Sequence, residues 1–239
     1  MNTKDFIRLG IPSAFQCHRL SRDMSRVRSR KTLVFIGLSR CHGSRGGRAP
    51  QATRFPRGIP PKRGILSDMS FVIVDVEADG PIPAVFSLVC FGAVFFDEAL
   101  DKSFYGQTRP VSDRFIPEAL AVSGFSREQH LTFDDPKAVM EKFAAWLDQH
   151  SQGRSVFVSD NLAFDWQFIN YYFHRFLGRN PFGFSGRRIG DLYAGLVKDA
   201  YKATEWKKYR VTQHTHNPVD DARGNAEALK KFKELGLKI

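Results

Sequence analysis

The sequence predicts an α/β fold, a mixed sheet flanked by helices, and three observations carry that expectation. Phe71–Val74 is an unbroken apolar, β-favouring run, the mark of a strand covered on both faces. Three strand-like stretches follow one another between residues 71 and 108. From residue 136 the pattern becomes helix, strand, helix and helix, which places strands and helices in one layered core.

The 239 residues carry a formal net charge of +11, distributed unevenly. Residues 1–68 hold 15 lysines and arginines against 3 acidic residues, whereas residues 69–239 hold 21 against 22. Arg19, Arg22, Arg26, Arg28 and Arg30 recur in the first segment, and Gly46, Gly47, Pro50, Pro56, Pro60 and Pro61 interrupt any periodicity. Too little apolar surface is present there to offset the entropy of ordering, so residues 1–68 read as a basic, disordered extension. Three accounts of it stand: an organelle transit segment, a basic arm for nucleic acid, or upstream sequence read through. The last is favoured, because Met69 directly precedes the first strand and would be a natural start. Leu33–Leu38 is too short to span a bilayer, and no membrane partner is expected. Cys17, Cys41 and Cys90 form an odd set without motif spacing, which argues for a reducing, cytoplasmic setting and against a disulfide scaffold or zinc site.

Residues 69–239 are sufficient for one core. Ser87–Phe96 reads as the second strand, Asp97–Asp101 as its turn, and Lys102–Thr108 as a third strand completing an antiparallel meander. Ile116–Phe125 is a short helical piece. Pro136–His150 is a firmer one, with Asp135 as N-cap, Pro136 at the first helical position and Val139, Phe143, Trp146 and Leu147 on the core stripe. Ser155–Ser159 is the next strand, followed by a helix rich in aromatics (Trp166, Phe168, Tyr171, Tyr172, Phe173, Phe176). Gly178–Gly186 reads as a loop, and Asp191–Leu196 as the start of another helix. The last helix is expected over about Asp221–Leu235, with Ala222, Ala226, Leu229, Phe232 and Leu235 on its buried face.

Three places combine acids with catalytic company. Asp75 and Glu77 lie two apart on the first strand and so project from one face. Two carboxylates so held repel each other unless a cation sits between them, and all-oxygen ligands suit Mg²⁺ or Mn²⁺ better than zinc. Asp165 stands at a strand–helix junction, where an acid also complements the helix dipole. His214–Asp221 is a loop entering the last helix, in which Asp220 or Asp221 could equally be a cap.

Taken in order, these segments resemble the DEDDh branch of the DnaQ-like 3′–5′ exonucleases. Asp75-Val76-Glu77 matches that family's D-x-E, Asn161-Leu162-Ala163-Phe164-Asp165 its N-x-x-F-D, and His216 through Asp221 its H-x-x-x-x-D. The likeness spans about residues 71–235 and implies a ribonuclease H-like sheet. It further implies Asp75, Glu77, Asp165 and Asp221 as ligands of two Mg²⁺ or Mn²⁺ ions about 3.5–4 Å apart, and His216, not His214, as the base that takes a proton from the attacking water. On an extended segment, His214 would be displaced from His216 by two residue rises. Phe164, with Trp166 as a second candidate, would stack on terminal bases, or Phe164 could equally be a core residue; Asn161 and Gly80 would also touch substrate. The implied partner is a single-stranded 3′ end, RNA favoured over DNA by likeness to RNase T, with release of nucleoside 5′-monophosphates; a homodimer is left open. Arg187, Arg188, Lys207, Lys208 and Arg210 are candidates for a basic groove, with a solvated face the favoured reading for any one of them taken singly. One departure stands out: where better-known members have Thr-Gly after the D-x-E, this chain has Ala78-Asp79-Gly80, and Asp79 is expected either to perturb the site or to face solvent. Two other readings compete. A non-catalytic binding module on the same fold would lack one or more of the five catalytic positions, all of which are present; in an adaptor, residues 1–68 would do the binding.

Overall fold

The computed structural model describes residues 69–239, and the readings of residues 1–68 as an extension, transit segment, nucleic-acid arm or read-through lie outside the described residues. Five strands form one mixed sheet. β1 (Met69–Ala78), β2 (Leu88–Phe95) and β3 (Ser103–Gln107) make the expected meander; β4 (Arg154–Ser159) and the short β5 (Gly186–Arg188) lie parallel on the other side of β1. The spatial order is β3-β2-β1-β4-β5. β1 is therefore central, which is why Val72, Ile73 and Val74 are wholly buried and why its sequence is apolar on both faces.

The two faces of β1 serve different layers. Val72, Val74, Val76 and Ala78 pack with Val139, Phe143, Leu147, Phe168 and Phe173, from α3 (Pro136–His150) and α4 (Leu162–Leu177). Ile73 faces the opposite layer, with Ile189, Tyr193, Trp206, Ala226, Leu229 and Phe232. That layer is α5 (Ile189–Val197), two 3-10 turns (Ala200–Lys202 and Glu205–Tyr209) and α6 (Pro218–Glu234). Because side chains alternate along a strand, Asp75 and Glu77 continue the Ile73 face and emerge beneath α6.

Most elements lie where their patterns put them. Asp135 caps α3 by accepting from the backbone N–H groups of Lys137 and Ala138, with Pro136 in the first turn. α1 (Pro117–Val122) falls inside its expected range, while α2 (Arg127–Leu131) was not foreseen; it is one turn long, and only the Ser126–Gln129 capping box marks it. β5 escapes a hydrophobicity reading because it is three residues, Gly-Arg-Arg. α6 begins three residues before the expected Asp221: Asn217 is its cap, accepting from Val219 N and Asp220 N at 3.0 and 3.4 Å, so neither aspartate caps it. Leu235 is the C-terminal cap residue, 47% exposed, and not part of the core stripe. No helix among the described residues is long and apolar enough to cross a membrane.

Candidate active site

Four carboxylates converge at one end of the sheet. Asp75 and Glu77 rise from β1, Asp165 enters in the first turn of α4, and Asp221 in the first turn of α6. Oxygens of Asp75, Glu77 and Asp221 lie within 4.8 Å of one another. Asp165 is not a member of that triplet, but its charge is felt at Asp75. It is almost wholly buried, and its Oδ2 has no hydrogen-bond partner. A buried carboxylate oxygen left without a donor is costly, and a cation would relieve it.

The electrostatics divide the four. Burial, then the charges of Asp165, Glu77 and Asp221, hold Asp75 well above the usual carboxylate range. Burial and the Asp221 charge push Glu77 up to about 8. Asp165 is raised in the same way by burial, with Asp160 and Glu77 adding to it. Asp221 goes the other way: burial raises it, but contacts with His214, the Thr215 N–H and Arg210 outweigh burial and lower it. This all-oxygen set, with an orphaned oxygen and three carboxylates that resist ionising unaided, fits hard divalent ions.

The segment before α6 is fastened as a unit. Glu227 accepts from Val211 N, Thr212 N and Thr212 Oγ1 at 2.8–2.9 Å. Asp221 then gathers the loop: Oδ1 accepts from Thr215 N at 3.1 Å and Arg210 Nη2 at 3.0 Å and lies 2.7 Å from His214 Nδ1, while Oδ2 accepts from His216 N at 3.0 Å. His216 Nδ1 is 3.4 Å from Glu77 Oε1, so the structure brings it to the carboxylates. His216 has φ of 63°, a left-handed conformation uncommon for a residue with a side chain, histidine being among those that adopt it more readily. The segment is consequently not extended, and the His214 and His216 rings meet at 4.5 Å between centroids instead of standing two residue rises apart. Sequence reasoning missed this contact of His214 with Asp221.

Other expected residues fare differently. Phe164 is half-buried beside Phe168, one residue before Asp165, with ring centroids 5.2 Å apart. Asn161 is exposed at the N-terminus of α4 and its side chain caps nothing. Gly80 is buried, and a Cβ there would lie 2.2 Å from the Phe86 ring. Asp79 does not face solvent. It is fully buried, accepts from the Ser87 N–H, and pairs with Arg127 at 3.0 Å. Its partner lies on the unforeseen α2, so local sequence gave no sign of the pair. Arg210 is not a groove residue but the buried cation of Asp221, and Lys207 pairs with Asp160 at 2.8 Å. Gly92 was also missed. It pairs with Asp75 across β1 and β2, and a Cβ on it would lie 2.4 Å from the backbone of Pro218 and Val219.

No family model matches the chain. The 3′-5′ DNA exonuclease Cap18 of Escherichia coli is 37% identical over 177 residues, a match covering 70% of this chain and 94% of that protein. Among solved structures, the nuclease domain of 3′hExo, a DEDDh family member bound to rAMP, superposes with a TM-score of 0.58 at 18% identity, covering 71% of this chain and 94% of that one. E. coli Exonuclease I in complex with a dT13 oligonucleotide gives 0.53 at 14% identity, covering 70% and 41%. The structural likenesses establish the fold, ribonuclease H-like as the motifs implied. With 37% identity along nearly the whole of Cap18 and that fold beneath it, the chain belongs to the DnaQ-like DEDDh family of 3′–5′ exonucleases.

Proposed function

We propose that residues 69–239 form a metal-dependent exonuclease domain that hydrolyses the terminal phosphodiester of single-stranded 3′ ends and releases nucleoside 5′-monophosphates. The observation that carries this reading is the convergence of Asp75, Glu77 and Asp221 within 4.8 Å, with His216 3.4 Å from Glu77 and the partnerless Asp165 oxygen beside them. The expectation of RNA over DNA rested on analogy alone; the relative at 37% identity is named a DNA exonuclease, and we place DNA first.

In this reading Asp75, Glu77, Asp165 and Asp221 hold two Mg²⁺ or Mn²⁺ ions. Bound there, the ions neutralise charge on the entering and leaving oxygens of the phosphodiester. His216 accepts the proton of the attacking water on Nε2, the nitrogen not turned to Glu77, and imidazole's basicity suits that task near neutral pH. His214, the Thr215 N–H and Arg210 together keep Asp221 ionised, and Arg210 helps to aim it. Phe164, half-buried, offers its ring to a terminal base, and Asn161, exposed at the start of α4, supplies a polar contact to the substrate. Gly80 acts by leaving room for the Phe86 ring.

The test is cleavage of 3′ single-stranded DNA and RNA oligomers, labelled at the 5′ end, with Mg²⁺ or EDTA. Stepwise shortening with Mg²⁺, faster on DNA and absent in EDTA, is expected. Cleavage that persists in EDTA would sink the metal assignment, and faster RNA turnover would reverse the order of substrates.

A further inference from the structure

We propose that His214, His216 and Asp221 form a second metal site, for an ion of the zinc class, which overlaps the carboxylate site at Asp221 and shuts the enzyme when filled. The proposal rests on the reading above for its functional consequence, though not for its geometry. One ligand atom from each of the three residues lies within 4.8 Å of the other two. The His214 Nδ1 and Asp221 Oδ1 atoms are 2.7 Å apart, and the two imidazole rings meet edge to face with centroids 4.5 Å apart.

The donor chemistry separates this set from its neighbour. Asp75, Glu77 and Asp221 offer only oxygen, which suits Mg²⁺ or Mn²⁺; two imidazoles and one carboxylate suit Zn²⁺ and related ions. Zinc ligand bonds are about 2.0–2.1 Å, so the His214–Asp221 pair must open by about half an ångström to admit the ion. The ion takes the place of the proton between Nδ1 and Oδ1, and the neutral His214 imidazole carries its proton on Nε2 instead, the exchange passing through solvent. Water fills the fourth position. His214 is about half exposed, so the ion has an open approach.

Filling this site disables two parts of the reaction at once. The His216 imidazole cannot take a proton while it ligates, and Asp221 is drawn from the hard-ion set. His216 already adopts the left-handed backbone that turns its ring toward His214, so little further ordering of the loop is required.

The test titrates the full chain, free of added magnesium, with Co²⁺ as a spectroscopic substitute for zinc. The wild type is expected to develop the visible bands of nitrogen-ligated cobalt at one equivalent. His214→Ala is expected to lose those bands and bind cobalt at least about 10-fold more weakly, a ligand costing no less than an outer-shell partner. Asp75→Asn, which alters only the other set, should keep the bands. In parallel, Mg²⁺-supported cleavage is followed as Zn²⁺ is added, each protein normalised to its own zinc-free rate. Half-inhibition of His214→Ala should need at least about 10-fold more zinc than the wild type. Equal cobalt spectra and affinities in wild type and His214→Ala would overturn the site, as would loss of the bands in Asp75→Asn. Equal zinc sensitivity would overturn the shut-off. A chain that binds cobalt as expected but cleaves nothing in Mg²⁺ would instead overturn the proposed function and leave the metal site standing.

Discussion

Gly92 stands directly across the β1–β2 ladder from Asp75, and the space where its Cβ would be is filled by the backbone of Pro218 and Val219, 2.4 Å away. Paired residues on neighbouring strands share a face, so the vacancy beside Asp75 is what lets the first turn of α6 rest on the sheet. Asp221 lies in that turn, and its distance from Asp75 is set by the missing side chain.

Gly92→Ala should therefore push α6 outward. Backbone cannot yield as a flexible side chain can, so a stability loss of about 1–3 kcal/mol is expected in urea unfolding. Displacing Asp221 by about 1 Å should lower turnover on the order of 10²-fold, measured on an oligomer at saturating Mg²⁺. Wild-type turnover in this variant would show that Asp221 does not need its present distance from Asp75.

Arg210→Ala leaves Asp221 buried with its charge less compensated. Breaking a buried ion pair costs about 3–5 kcal/mol, and the lower end is expected because His214 and two backbone N–H groups still contact the carboxylate. A midpoint of urea unfolding that does not move would argue against Arg210 as the counter-charge.

The carboxylates make metal-free stability depend on pH. Asp75, Glu77 and Asp165 are all raised in the folded chain, Glu77 to about 8. The folded state thus binds protons more tightly than the unfolded one. Its stability from these groups is full below about pH 4, where both states are protonated, and is lost as pH rises through about 8. Saturating Mg²⁺ should flatten that decline. Asp75→Asn should abolish cleavage yet raise metal-free stability near pH 8, since it removes one of the mutually repelling buried carboxylates. Thermal melts with EDTA and with Mg²⁺ decide it; a decline that Mg²⁺ leaves unchanged would contradict the ligand assignment.

His216 and His214 should separate by their pH profiles. The His216 imidazole is held below its ordinary value by burial and then by His214. Rate should therefore rise with pH as His216 loses its proton, at a midpoint below about 6.5. His216→Ala should lose that limb and on the order of 10²–10⁴ in rate while still binding an oligomer. His214→Ala should keep the limb but shift it to higher pH, because a neighbour that opposes protonation is gone. If His214→Ala is the variant without the limb, the roles are exchanged.

A chain lacking residues 1–68 should cleave within a few-fold of the full chain at moderate salt, since every residue of the proposed site lies within residues 69–239. Loss of cooperative unfolding in the shortened chain would count against the division at Met69. Weaker binding confined to low salt would mark the basic segment as an electrostatic accessory.

What the sequence determined by itself was whatever a few neighbouring residues dictate. The Asp135–Pro136 start of α3, the doubly buried run of β1 and the shared face of Asp75 and Glu77 follow from capping, composition and strand alternation. The three motifs, read together, named the family and all four carboxylates. The tertiary structure decided what depends on partners remote in the chain. Asp79 is an internal ion because Arg127, 48 residues away, reaches it; Arg210 serves Asp221 because their segment folds back on α6; Gly92 matters because Pro218 arrives above it. None of these has a local period or propensity to betray it. A vacancy the size of a methyl group, or a charge neutralised across two layers, exists only once the layers have packed, and His216 meets Glu77 only once the loop before α6 lies against β1.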